Sequence, residues 1–301
     1  MKRSCTLFLI ILYSSSSVFA GTVREFKAAI PRLVADTDTV TRKQSLSVGV
    51  SVGSDAQFFG RTGPVKYPYW SGDAIYNAKS GFFVYGSVYK VFTSIPVIDE
   101  TDAGAGYLYR FSSKFTGNIS YTHFFIDKDA LIIKSASSND INFSNSYDWK
   151  ILKSNVTFDY LFGRENDFFL TINNSKYFET NWSIFDDKDY LSFNPGFSII
   201  FGTQNFVQKY AQSHPGKYND NYSLQRNDDI FLQPPPVFPQ YAAYDSEFHM
   251  LNYSVKLPVA YNRPHYTLEF AYKYSVPVNI QGIFNNHRES FYNLTFYYVF
   301  Y

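Results

Sequence analysis

Residues 265–275, HYTLEFAYKYS, place an aromatic residue or leucine at every second position: Tyr266, Leu268, Phe270, Tyr272 and Tyr274. His265, Thr267, Glu269, Ala271, Lys273 and Ser275 stand between them. Strand side chains alternate between faces, so this stretch read as a strand has one apolar face and one polar face carrying two charges. A soluble sandwich accepts that pattern with the apolar face inward, and a membrane barrel accepts it with the apolar face outward. The rest of the chain has to decide.

The pattern recurs. Alternating segments bounded by turn residues predict twelve strands, at 45–53, 69–78, 82–91, 104–111, 117–126, 141–149, 155–162, 168–173, 191–202, 251–261, 265–275 and 291–301. The first, SLSVGVSVG, sets Leu46, Val48, Val50 and Val52 against a face of serine and glycine. The third, FFVYGSVYKV, is apolar on both faces, and its facing stays open.

The connectors alternate in length along the chain. Those at 79–81, 112–116, 150–154 and 262–264 are short, whereas 54–69, 92–103, 127–140, 203–250 and 276–290 are long. Short turns at one end, long loops at the other and an even strand number are the plan of a barrel that crosses an outer membrane with both termini on the periplasmic side. One place departs from it: 163–166 is short where a long loop is due, and 174–190 is long where a turn is due. Extension of the eighth strand into SKYFET keeps the parity, whereas a separate strand at NWSIF breaks it. The 203–250 segment, with Pro234, Pro235 and Pro236, is too long for a passive hairpin tip and is expected to narrow or gate the mouth.

The chain opens MKRSCTLFLIILYSSSSVFAGT, a basic start, an apolar run at 7–13 and small residues up to Ala20, which resembles a secretory signal peptide occupying 1–20. The apolar run is too short for a spanning helix, and no run of the length a membrane helix needs follows residue 20. Cys5 is the only cysteine and falls in that segment, so disulfides and cysteine chemistry are excluded from a mature chain. Without Lys2 and Arg3, 25 basic residues face 26 acidic ones, a balance that does not favour nucleic acid. Residues 21–43 alternate weakly, and REFKAAIPRLVA within them reads as a short helix broken at Pro31, either a plug or a periplasmic segment. The barrel then occupies 44–301.

Aromatic residues make up 20% of the chain, 27 Tyr and 31 Phe among them, with a mean hydropathy of only −0.23. That pairing suits a barrel wall with apolar residues outward, polar residues inward and aromatic girdles at both interfaces. Closure satisfies every backbone donor and acceptor, which an open sheet in lipid cannot do. The expected fold class is therefore all-β, a closed antiparallel up-and-down transmembrane barrel. Its predicted inner face carries Asp73, Arg110, Asp148, Asp159, Lys256, Glu269 and Lys273, and Lys90 joins them if strand three faces as Val84 and Val88 suggest. These charges read either as a pore lining or as ion pairs filling a narrow lumen, and their near balance gives no ion preference.

The last segment, SFYNLTFYYVFY, resembles the terminal strand by which outer-membrane barrels are recognised for assembly. Tyr292, Leu294, Phe296, Tyr298 and Phe300 fit its spacing, but the pattern normally stops at the aromatic and here Tyr301 follows, so either Tyr301 is the terminal position or the register is shifted by one, to the less apolar set Asn293, Thr295, Tyr297, Val299 and Tyr301. With the overall plan, the chain resembles a Gram-negative, porin-like outer-membrane β-barrel. The resemblance implies outer-membrane lipid and the barrel assembly machinery as partners.

Barrel enzymes of the phospholipase and lipid A deacylase types carry His and Ser two residues apart on one strand face. None of His123, His214, His249, His265 and His287 has that neighbour. Protease-like barrels use acidic pairs near the rim, for which Asp186-Asp187 and Asp228-Asp229 are weak candidates, since paired acids in polar loops are usually just solvated. No metal spacing stands out, and no cofactor is expected. The residues point to passive passage of small hydrophilic solutes, with a non-conducting surface-interaction barrel as the alternative. The aromatic loop residues Phe231, Phe238, Tyr241 and Tyr244 motivate that alternative, and His123 is the one placed candidate for a lipid-modifying enzyme.

Overall fold

The computed structural model describes residues 44–63, 65–92, 94–130, 137–206, 247–280 and 287–301. The signal peptide, the 21–43 segment and most of the 203–250 loop, with His214, Asp228-Asp229, Phe231, Phe238, Tyr241 and Tyr244, lie outside the described residues.

Along the chain the strands are β1 (Ser45–Gly53), β2 (Tyr69–Asn77), β3 (Phe82–Val91), β4 (Glu100–Arg110), β5 (Phe115–Ile126), β6 (Ser137–Asp148) and β7 (Lys153–Gly163). They continue as β8 (Asp167–Ser175), β9 (Phe178–Glu179), β10 (Tyr190–Phe193), β11 (Gly196–Gly202), β12 (His249–Asn262), β13 (Tyr266–Pro277) and β14 (Glu289–Phe300). Every pairing is antiparallel. β1 to β8 pair in chain order, β8 pairs with β11, β11 to β14 follow in order, and β14 returns to β1. Twelve strands thus close on one another, and the wall has no open edge at which lipid would face unpaired backbone.

The remaining two strands account for the irregular connector. β11 and β10 both pair with β12, at Gly196↔Lys256 and Phe193↔Val259, so they are one strand interrupted at Asn194 and Pro195. Proline has no N–H for the ladder, and the break falls there. β9 pairs with β10 just beyond the point where Ser175 of β8 faces Gly196. The eighth strand therefore does extend into SKYFET, and 181–185 forms no strand, which keeps the strand number even.

Facing follows the alternation. In β13, Leu268 and Phe270 are exposed at 42% and 47%, while Thr267 and Lys273 are buried at 1% and 2%. The valines of β1 are exposed and its serines buried in the same way. A soluble fold pays dearly for such an outer surface; in hydrocarbon each large side chain on it is favourable by roughly 1.5–3 kcal/mol. β3 settles its own ambiguity by pairing. Tyr69↔Val91, Ser71↔Tyr89 and Ile75↔Tyr85 put Tyr85, Tyr89 and Val91 inside, and Phe82 and Val84 outside. Tyr85 fits inward because its ring lies over Gly104 on β4, where an added Cβ would come within 2.3 Å of it.

The bore and its inward segment as candidate functional site

The inner face is a lattice of short polar side chains. Ser51 and Thr295 bridge β1 and β14 at 2.9 Å, Asn142 Nδ2 donates to Asp159 at 2.6 Å, and Asn252 Nδ2 donates to Ser275 at 2.7 Å. Thr122 bonds the hydroxyl of Tyr85. Such pairs satisfy groups that a dry core would strand.

Of the predicted inner charges, Asp73, Arg110, Asp148, Asp159, Lys256, Glu269 and Lys273 all lie on the inward register. Lys256 and Glu269 stand 3.7 Å apart. Lys90 does not join them. It shares the outer face of β3 with Val84 and Val88, opposite Trp70, and its ammonium folds back at the loop end. There it donates to the Ser94 carbonyl at 2.8 Å and lies 3.7 Å from Asp99. The outward face of an apolar strand leaves a lysine near the rim only this local outlet.

Five acids and one base reach the inner face that the alternation did not place there: Glu100, Asp102, Asp140, Asp167, Glu289 and Lys153. All six fall outside the strands predicted from alternation. The strands begin earlier, or end later, than their apolar halves, because backbone pairing continues past the hydrocarbon belt where outward apolar residues are no longer required. The signal for them was alternate-position acids next to a strand, as in EXD at 100–102.

The loop between β1 and β2 runs inside the bore. It leaves the β1 rim, crosses to the opposite wall and returns. Asp55 accepts from the Tyr67 amide at 2.7 Å, Gln57 accepts from Lys273 at 2.7 Å, and Thr62 donates to Glu289 at 2.7 Å. At its tip Phe58 and Arg61 exchange both backbone hydrogen bonds at 2.8 Å around Phe59 and Gly60, whose φ values are 46° and 78°. Two positive φ values make the tight hairpin turn of the primed type, which favours glycine. A Cβ on Gly60 would also meet the Cβ of Asn252 at 2.4 Å.

Behind that turn, Phe58 and Phe59 pack with Leu161, Phe169, Ile200, Phe206 and Leu251, from β7, β8, β11, β12 and the residues after β11. Arg61 is fully buried there. Its Nε and Nη2 donate to Gln204 at 3.1 and 2.9 Å, its Nη1 to the Leu251 carbonyl at 2.6 Å, and Nη2 also to the Val278 and Asn279 carbonyls. Burial lowers its pKa only to about 10, so it stays a cation at neutral pH. Burial and the nearby Glu289 push the Asp55 carboxyl up to about 6. The expected narrowing by 203–250 rests on residues outside those described, apart from Gln204 and Phe206, which help hold the 54–63 segment. The sequence signal for the segment was two adjacent aromatics followed by glycine inside a polar connector.

The C-terminal residues sit as their spacing predicts: Tyr292, Leu294, Phe296 and Phe300 are exposed outward, Tyr298 shares their face, and Asn293, Thr295 and Val299 turn inward. The strand ends at Phe300 and Tyr301 lies beyond it. Among the histidines, His123 faces outward, bonded to Asn139 at 2.9 Å and set edge-on to Phe125. His265 stacks on Tyr298. Among the described residues no three His, Asp or Glu side chains stand where they could hold a metal.

No family model matches the chain, and no curated protein matches it. Solved structures do resemble it. A "KdgM porin" aligns at 10% identity and a TM-score of 0.47, over 85% of this chain and 99% of its own. An outer-membrane channel from Pseudomonas putida F1 aligns at 10% identity and 0.42, over 89% and 100%. LpxR from Salmonella typhimurium aligns at 8% identity and 0.40, over 84% and 99%. Scores below 0.5 at such identities assign this chain no function. Its closed register and apolar exterior, taken by themselves, make it a twelve-stranded membrane-spanning β-barrel of the outer-membrane type.

Proposed function

We propose that the chain is a porin-like channel of the outer membrane that passes small hydrophilic solutes passively, and that segment 54–63 is its constriction. In this reading residues 1–20 direct export, 21–43 precede the barrel as a periplasmic or plug segment, and 44–301 form the pore. Outer-membrane lipid meets the apolar belt, and the C-terminal strand from Tyr292 to Tyr301 is the handle for the assembly machinery. No catalytic role is assigned. The observation that supports the channel most is a closed wall with a polar interior crossed by a segment of its own chain that only noncovalent contacts hold.

A non-conducting surface barrel is the second reading, favoured by the depth of burial inside: Ser47, Asn142 and Thr267 are each only 1% exposed. Single-channel recording of the mature chain in planar bilayers separates the two. The channel reading expects discrete conductance steps, and larger steps for Arg61→Met, which removes the donors that hold the segment across the bore. A folded barrel with no steps, in the wild type, in R61M and after deletion of 21–43, ends the channel reading and leaves the surface barrel.

A further inference from the structure

β9 and β10 complete the wall at its turn end, and the chain between them folds back over the outer surface. Phe185 is set edge-on to Tyr261 at 5.8 Å, and Tyr261 shares the outward register of β12 with Val255, Leu257 and Val259. One buried aspartate fixes the fold. The Asp189 carboxylate accepts the amides of Ile184, Phe185 and Asp186 at 2.7, 2.9 and 3.2 Å, and the hydroxyl of Tyr261 at 2.8 Å. Asp186 in turn pairs with Arg263 in the neighbouring turn.

A loop anchored so well could turn its large apolar side chains towards the wall, yet it presents them outward: Trp182 is 59% exposed, Phe185 79%, and Phe178 on β9 is half exposed. In water such a surface costs free energy, and in lipid it gains it. Phe178 stacks on Phe193 at 6.4 Å, and Phe193 stands opposite Val259 on the outward face of β10. The patch therefore joins the apolar belt that lipid already covers. Asp187 and Lys188 are exposed beside it, so apolar rings and charges share one short loop, a pairing that suits the boundary between acyl chains and headgroups.

We infer that 178–188 is a lipid-binding wing, which lies on the periplasmic leaflet of the outer membrane and seats Trp182 and Phe185 between phospholipid headgroups and the upper acyl chains. The occupant is phospholipid because the patch is continuous with the belt, and a periplasmic protein bound there would have to displace lipid from Phe193 and Val259. The inference needs the membrane-spanning barrel but not the channel.

Residues 21–301 contain no cysteine, so Phe185→Cys gives the mature chain a single site for a nitroxide label. In vesicles of phosphatidylethanolamine and phosphatidylglycerol, relaxation by oxygen, which concentrates in lipid, is compared with relaxation by a water-soluble nickel chelate present on both sides. The oxygen-to-nickel ratio at 185 should exceed by several-fold the ratio at Lys79→Cys, an exposed position in the β2–β3 turn at the same end. If the labelled chain does not fold, Trp182 replaces it as the reporter in a chain carrying Trp70→Phe and Trp149→Phe, which removes the other two tryptophans. Lipid brominated high on its acyl chains should then quench Trp182 more strongly than aqueous iodide does. Equal ratios at 185 and 79, or a Trp182 quenched by iodide and untouched by brominated lipid, overturn the wing and leave that surface to a periplasmic protein.

Discussion

Asp55 is the residue at which chemistry and conformation are most closely coupled. Its side chain is buried where the inward segment leaves the wall, one oxygen accepts the Tyr67 amide, and Glu289 lies near enough to raise its pKa. Lys66 acts in the opposite sense. The folded value of about 6 lies above the ordinary 3.8, so between these pH values the folded chain holds the proton more tightly than the unfolded chain. This group's contribution to stability is therefore fully present below about pH 4 and is lost as the pH rises through 6. Asp55→Asn carries no charge to bury. It should be more stable than the wild type at pH 7.5, by on the order of 2 kcal/mol, and equal to it at pH 4. Urea unfolding in lipid vesicles at the two pH values measures this. Equal stabilities at pH 7.5 would show that the carboxylate is solvated in the folded protein. No residue pattern announced Asp55, because its burial comes from a loop that turns into the bore.

Strand by strand, alternation located the whole wall and gave the facing of nearly all of it. β13 needed nothing else, since from Tyr266 to Ser275 every outward position is aromatic or leucine and every inward neighbour is polar or small. β3 could not be oriented from sequence, because Val84 and Val88 compete with Tyr85 and Tyr89 for the same side. Only pairing with β2 and the glycines of β4 decided it, and that decision moved Lys90 out of the bore. The strand ends were also hidden, and with them Glu100, Asp102, Asp140, Asp167 and Glu289. A test of facing belongs at this scale. Val50 points outward in the middle of β1, half exposed and opposite Phe296. Val50→Arg should cost about 2–4 kcal/mol if the site lies near the bilayer midplane. Val50→Leu, which keeps the face apolar, should stay within about 0.5 kcal/mol. Vesicle unfolding titrations compare them, and an arginine tolerated as well as leucine would place that face in water.

At the scale of the whole molecule, closure and exterior make a joint demand. A barrel whose outer belt holds Val50, Phe82, Ile119, Phe125, Leu294 and Phe296, all exposed, cannot remain dispersed in water. The purified mature chain should stay folded and monodisperse in detergent, shift its gel mobility on boiling, and precipitate when detergent is withdrawn. Light scattering during detergent removal is the measurement, and a folded monomer in plain buffer would refute the outward apolar face. Alternation, connector asymmetry and the terminal aromatic strand determined from sequence alone that the chain makes an even-stranded barrel with its apolar residues outward. Those features are local, since a strand's two faces are written in neighbouring residues. Tertiary structure alone decided what fills the interior: the crossing of 54–63 and the seat of Arg61 against residues more than a hundred positions away. Each depends on which strands curve round to face one another across the bore, and a pattern that repeats every two residues carries no record of that distance.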